Sequence, residues 1–144
     1  MLYIDFKILD HQKFEDLLKI YPVVSDIKAK GERKEIDFWI KLLPDYVKRY
    51  YRMRKLDRAN TNFKNMVEYL QWGLEANLDD LKKTGEDIGR LDFSTGNYPY
   101  GGMDRLMVFV NAFDCRPIEI YNGFNVNSVS WISKFNFECQ EILK

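Results

Sequence analysis

The length, composition and charge of the chain are those of an ordinary globular protein. Its 144 residues match one domain, residues 1–144, which can bury a core without metals or disulfides. Hydrophobic residues make up 46% and charged residues 31%, and 22 basic residues balance 22 acidic ones, which argues against disorder and gives no charge signal for nucleic acid or membrane. No apolar run approaches the roughly eighteen residues of a membrane span, and no secretion signal precedes the first strand. We therefore expect a cytoplasmic protein without a membrane partner.

Residues that commonly bind metals are scarce. Cys115 and Cys139 lie far apart without a second cysteine pair, and His11 is the only histidine. This set suits neither a disulfide scaffold nor a zinc site, so we expect two reduced, mostly buried thiols. We also expect no metal and no cofactor.

The chain opens with a strand and a helix. Apolar and polar residues alternate from Leu2 to Ile8, which predicts a strand with one buried face. Asp10 can cap a helix whose apolar residues are spaced three and four apart, and we expect Pro22 to end it. Residues 23–31 lack a period and are predicted to form a loop.

Two further helical segments follow in the first half of the chain. The pattern that begins at Glu35 is interrupted by Pro44, which indicates either two helices meeting there or one bent helix. An apolar stripe then runs from about residue 61 to Leu81 and predicts a long helix, which Gly85 ends.

Beyond residue 85 the pattern changes from helical to strand-like. Leu91 and Phe93 alternate with charged residues and predict a short strand. An amphipathic helix is predicted over residues 106–113, with Asp104 near its start, where the helix dipole favours an acid.

A hairpin is predicted around Asn122 and Gly123. A three-residue loop would pair Ile120 with Phe124 and keep apolar residues on one face, so we prefer it to a two-residue turn. Residues 134–143 fit both a strand and a helix, and we expect a strand that gives way to a short helical end.

Together these elements predict an α+β fold. Four to five helices dominate the N-terminal half, residues 10–84, and pack on a small, mostly antiparallel sheet. The N-terminal strand and the C-terminal strands, including the hairpin at Asn122-Gly123, form that sheet.

The best candidate for a site is a glycine-rich, aromatic loop at residues 94–105. Gly96 and Gly101 have the spacing of a phosphate-binding loop between a strand and a helix. However, Gly102 and Met103 stand where such a loop needs a lysine and a hydroxyl residue, which excludes an NTPase loop.

Three interpretations of the loop stay open. Its glycines can supply the positive φ angles of a structural corner, or the amides near Gly101 can form a weaker anion site with Arg105 as counter-charge. Alternatively, Tyr98 and Tyr100, stiffened by the proline between them, can present contact area to a protein partner. Trp72 lies off the main apolar stripe of its predicted helix, which indicates either a helix covered on two sides or an exposed aromatic patch. We therefore predict a partner-binding site formed by Tyr98, Tyr100, Arg105 and Trp72.

A basic segment at residues 45–64 supports an alternative. It carries seven basic residues against two acidic ones, with tyrosines interleaved, and this combination suits RNA or single-stranded nucleic acid. The residues expected to contact phosphates are Lys48, Arg49, Arg52, Lys55 and Arg58. Pairing with the acidic stretch at residues 75–104, or plain solvation, explains the same charges, and an acidic protein partner would suit them too.

The sequence contains no catalytic constellation. Asp92 and Asp104 bracket the loop, but no histidine, metal motif or nucleophile signature lies beside them. We therefore expect a non-enzymatic protein-binding module. Toxin-neutralising immunity proteins and other inhibitors are typically small single-domain proteins with many aromatic residues and divided charge. The expected class rests on that analogy.

Overall fold

One antiparallel sheet organises the fold. The computed structural model describes residues 2–52, 62–74, 76–95 and 103–142, and over these residues the sheet has six strands. In chain order the strands are β1 (Leu2–Ile8), β2 (Ala76–Lys83), β3 (Ile88–Thr95), β4 (Cys115–Tyr121), β5 (Val126–Trp131) and β6 (Phe137–Glu141). Across the sheet their order is β2-β3-β1-β4-β5-β6, and every neighbouring pair is antiparallel. The N-terminal strand therefore lies inside the sheet.

Five α-helices are present among the described residues. They are α1 (His11–Lys30), α2 (Ile36–Leu42), α3 (Asp45–Arg52), α4 (Phe63–Glu68) and α5 (Met103–Asn111), and α4 continues into a π-helical turn at Tyr69–Gly73. Helices α1 and α5 pack on one face of the sheet, and the shorter helices pack beside them. The predicted α+β class, with strands from both ends of the chain, is confirmed. Within the described residues, no helix combines the length and apolar composition that crossing a membrane requires.

Strand β1 supplies the centre of the core. Ile4, Phe6 and Ile8 are buried on the helix side, while the alternate residues lie on the opposite, open face. Gly89 stands opposite Phe6 in β3, and the Phe6 ring fills the space that a side chain at residue 89 would occupy. The predicted opening strand is confirmed, and the alternation of apolar and polar residues correctly predicted which of its faces is buried.

Pro22 does not end the first helix, contrary to the prediction. Helix α1 runs on to Lys30, and Gly31 ends it in the left-handed conformation at φ 63°. Residues 23–31, predicted as a loop, are therefore almost entirely helical. The physical reason is packing: Val24 and Ile27 continue the buried stripe of α1, and their burial outweighs the one hydrogen bond that an exposed proline removes.

The predicted long helix at residues 61–81 is also wrong beyond Gly73. Ala76–Lys83 is strand β2, and its register shifts between Leu78 and Asp80. The shift adds one residue to the strand, so Leu78 and Leu81 both face the core although they are three residues apart. A bulged strand therefore reproduced the spacing of a helix. Gly85 belongs to the β2–β3 turn and ends no helix.

At Pro44 the structure has two separate helices, one of the two predicted alternatives. The hairpin between β4 and β5 is also present, but its register differs from the prediction. The loop has four residues, 122–125, because the Asn122 side chain accepts a hydrogen bond from the Phe124 amide at 3.0 Å. Ile120 consequently pairs with Asn127 and not with Phe124. Near the C-terminus the favoured strand is present as β6, but the expected helical end does not follow it within the described residues, which stop at 142.

The two cysteines are free thiols in different surroundings. Cys115 is buried at the start of β4, as expected, whereas Cys139 is exposed on β6, which corrects the expectation of two mostly buried thiols. Burial raises the pKa of the Cys115 thiol to about 12. This thiol is therefore protonated and unreactive at neutral pH.

Candidate functional site

An aromatic and cationic groove opens beside the π-helical turn. It encloses about 450 Å³, and we name it the Trp72 groove. The residues that line it include Arg33, Glu68, Tyr69, Trp72, Gly73 and Arg105. Three separate segments thus meet there: the α1–α2 linker, the end of α4 with its π-helical turn, and the first turn of α5.

The π-helical turn separates buried from exposed aromatic residues. The Leu74 amide donates to the Tyr69 carbonyl at 2.9 Å, five residues back, which widens the last turn of the helix. Tyr69 is buried, whereas Trp72 is 57% exposed. A side chain at Gly73 would lie 3.2 Å from the Tyr69 ring, so glycine allows the turn to close tightly. Turns of this kind often occur at functional sites.

Arg33 holds the Trp72 ring in place. Its guanidinium carbon lies 3.9 Å from the centre of the indole, at stacking distance. Next to it, the Lys34 amide donates to the Gln71 side-chain oxygen at 2.6 Å, which ties the α1–α2 linker to the π-helical turn. The indole and the guanidinium are therefore ordered before any partner arrives.

Arg105 supplies a second guanidinium from α5. Its central carbon lies 5.6 Å from the centre of the Tyr69 ring. Across the described part of the chain, neither Arg33 nor Arg105 has a carboxylate at ion-pair distance, although Glu68 also lines the groove. Burial raises the pKa of Tyr69 well above its ordinary value, so this phenol stays neutral. The groove therefore contains an exposed indole and two guanidinium groups. The guanidinium groups can bind carboxylates of a partner.

The structure brings two of the predicted partner-binding residues together. Trp72 and Arg105 both line the groove. Tyr98 and Tyr100 lie outside the described residues, so their role stays a prediction; in the sequence they come shortly before the start of α5. Arg33 was missed, because no local pattern distinguishes it from any other basic residue in a linker.

The predicted basic helix contributes to a second concavity. This concavity encloses about 430 Å³, and we name it the Arg49 groove. The residues that line it include Lys13, Tyr46, Arg49, Tyr50, Arg116 and Lys134. Lys48 is directed elsewhere, because its ammonium group donates to the Ile40 carbonyl at 2.9 Å and pairs with Asp45 at 3.0 Å. The Arg52 side chain, Lys55 and Arg58 lie outside the described residues.

The tyrosines of the basic segment are structural. The Tyr46 hydroxyl donates to Asp16 at 2.6 Å, and the Phe113 ring packs edge-on against the Tyr46 ring. Tyr50 is buried, and its hydroxyl donates to the Lys134 carbonyl. These rings serve the packing of the fold, so they are not exposed platforms on which bases can stack.

Asp92 and Asp104 do not converge. Asp92 lies on the face of β3 opposite the helices, where it is buried at 5% exposure and its carboxylate accepts from the Lys82 ammonium group at 2.9 Å. Asp104 is exposed on α5, which covers the other face. In the described ranges, no group of three or more His, Cys, Asp or Glu side chains is placed to hold a metal ion.

Comparisons of the chain with protein-family models, with curated proteins and with solved structures found no match. Its fold and grooves therefore define it only as an α+β protein built on a six-stranded antiparallel sheet over the described residues.

Proposed function

We propose that the protein is a non-enzymatic protein-binding module that seats an acidic segment of a partner protein in the Trp72 groove. One observation carries this proposal: an exposed tryptophan and two arginines that have no carboxylate partner among the described residues line one concavity. Tryptophan and arginine are the residue types that most often dominate binding energy at protein interfaces. Planar guanidinium groups also bind carboxylates through two parallel hydrogen bonds, which is why we propose an acidic partner.

The order of the groove favours binding. Arg33 already stacks on Trp72, so a partner loses less side-chain entropy when it docks there. Trp72 is 57% exposed, and covering it removes roughly 110 Å² of mainly apolar surface from water. At about 25 cal/mol per Å², this transfer alone contributes about 2.8 kcal/mol, equivalent to about 100-fold in Kd before the costs of association are subtracted.

The class that fits this mode of action is a toxin-neutralising immunity protein or another inhibitor, which acts by occupying its partner. The support is the analogy in size, aromatic content and divided charge. We place this activity in the cytoplasm, as the sequence led us to expect.

Affinity capture from the native cell, with and without nuclease, tests the proposal. We expect the wild-type protein to retain a protein partner after nuclease treatment. Trp72→Ala and Arg105→Ala should lose that partner, with Kd raised about 100-fold for Trp72→Ala once the purified pair is measured. Phe124→Ala is the matched control, because Phe124 is 67% exposed in the β4–β5 turn, on a different element.

Two outcomes would contradict the proposal. One is that Trp72→Ala captures the same partners as the Phe124→Ala control and binds them with the same Kd. The other is a capture that disappears on nuclease treatment. The predicted loop residues add a separate comparison: replacing Tyr98 and Tyr100 by alanine should weaken binding of the same partner if the loop contributes to this surface.

RNA or single-stranded nucleic-acid binding by the basic segment stays the alternative. Of the two predicted contacts whose side chains the structure describes, Arg49 lines a groove and Lys48 does not, because the Lys48 ammonium group donates to the Ile40 carbonyl of α2 and pairs with Asp45. The packed tyrosines supply no stacking surface. For these reasons we favour the protein partner.

A further inference from the structure

The Arg49 groove concentrates positive charge from four separate segments. The described residues that line it include four basic ones and one acidic one, Asp114. The basic residues are Lys13, Arg49, Arg116 and Lys134. These cations come from α1, α3, β4 and the β5–β6 turn, so only the fold places them together. Like charges in one concavity repel each other, and a bound anion would relieve that repulsion.

Two of these cations remain available to a ligand. Lys13 pairs with Asp114 at 2.8 Å. In contrast, neither Arg49 nor Arg116 has a carboxylate at ion-pair distance within the described ranges, and both side chains are exposed. Guanidinium groups bind phosphate oxygens in the same two-pronged manner as carboxylates.

The walls of the groove are fixed to each other. The Tyr50 hydroxyl donates to the Lys134 carbonyl and accepts from the Asn111 side-chain amide at 3.2 Å. These bonds join α3 to the end of α5 and to the β5–β6 turn, while the Lys13–Asp114 pair joins α1 to the turn before β4. The walls of the groove are therefore fixed before a ligand binds, and only the exposed Arg49 and Arg116 side chains lose rotamer freedom when they bind it.

The shape of the groove favours a compact anion over a nucleic-acid strand. The Tyr46 ring lies under the Lys13 ammonium group, 4.7 Å from its nitrogen, and the Tyr50 ring is buried. No base-stacking surface is left among the tyrosines that line the groove, whereas a volume of about 430 Å³ lies within the range of small-molecule sites.

We propose that the Arg49 groove binds a compact phosphate-bearing anion, whose oxygens are held by the Arg49 and Arg116 guanidinium groups. The ligand class is a polyphosphate or a phosphate ester of a small molecule. The proposal is independent of the Trp72 groove, because the two grooves share no lining residue.

Calorimetric titration of the full chain at low ionic strength tests this site, with inorganic tripolyphosphate and a nucleoside triphosphate as probes. We expect saturable binding of tripolyphosphate by the wild-type protein. Arg49→Ala and Arg116→Ala should each weaken it by about tenfold or more, and Arg116→Lys should restore part of the loss because it keeps the charge. Tighter binding of the nucleoside triphosphate would support the site and assign an ester as its ligand.

Lys41→Ala is the control, since Lys41 is exposed on α2 and lines neither groove, so this variant removes one positive charge without changing either site. Equal weakening by Lys41→Ala would overturn the proposal, because it would show attraction by the overall charge alone. Absence of tripolyphosphate binding by the wild-type protein would also overturn it. Oligothymidylates form a third arm: affinity that rises with their length and exceeds that of tripolyphosphate would replace the compact ligand with a nucleic-acid strand.

Discussion

Replacing Gly89 by alanine tests how β1, β2 and β3 are placed against each other. Gly89 pairs with Phe6 on one side and with Lys83 on the other. A β-carbon at residue 89 would overlap the Phe6 ring and would lie 3.2 Å from the Lys82 carbonyl oxygen. Phe6 is fully buried, so its ring cannot swing into solvent to make room.

The expected loss follows from this overlap. Forcing an extra carbon into a packed core costs about 1–3 kcal/mol, and alanine regains roughly 0.5–1 kcal/mol by restricting the unfolded chain. Gly89→Ala should therefore lower the free energy of unfolding by about 1–2 kcal/mol in urea titrations followed by tryptophan fluorescence, with the m-value unchanged.

Gly85→Ala provides the matched control within the same hairpin. The nearest atom to a β-carbon at residue 85 is the Ile88 β-carbon at 3.6 Å, an ordinary contact, and Gly85 has no positive φ. This variant should be neutral or more stable by up to about 1 kcal/mol. If residues 61–81 instead formed one helix ended by Gly85, Gly85→Ala would be the less stable of the two variants, because alanine is strained in the left-handed conformation of a terminal glycine. A Gly89→Ala protein as stable as wild type, beside a destabilised Gly85→Ala, would refute the strand assignment.

Three further predictions concern α1 and the thiols. Pro22→Ala restores an amide donor inside α1 and should raise the free energy of unfolding by about 1–3 kcal/mol. The control, Lys19→Ala at an exposed residue of the same helix, should change it by no more than about 0.5 kcal/mol. A destabilised Pro22→Ala would mean that packing requires the proline. In native protein at pH 8, a thiol reagent should modify Cys139 and spare Cys115, and equal rates for both would contradict the burial of Cys115. Because the folded state retains the Cys115 proton up to a pKa of about 12 while the unfolded state releases it near 9.0, stability should fall across that interval, and less so in Cys115→Ala.

The parts of the fold that were predicted correctly rest on local patterns. The alternation in β1 depends only on neighbouring residues, and so does the apolar stripe of α5. Pro44 likewise limited the chain to two helices or a bend at that point, since proline excludes an undisturbed helix. Each of these signals is contained within a few turns or one strand.

The errors arose where a distant contact outweighed the local pattern. Leu78 and Leu81 have helical spacing, but strand β3 takes up the backbone hydrogen bonds of their segment and a bulge turns both residues to the core. In α1, burial of Val24 and Ile27 maintains the helix beyond Pro22. Neither effect can be calculated from spacing, because both depend on which surface the segment packs against.

The same division holds for the candidate sites. The sequence by itself determined the α+β class and the grouping of basic residues around Arg49, because propensity and periodicity act over short distances. It left the side of Trp72 either covered or exposed, and the structure shows it to be exposed. Only the tertiary structure decided that Arg33 stacks on Trp72 beside Arg105, and that Arg49 shares a groove with Arg116. These partners lie on separate segments, and it is the packing of helices on the sheet that brings their side chains within reach of one ligand.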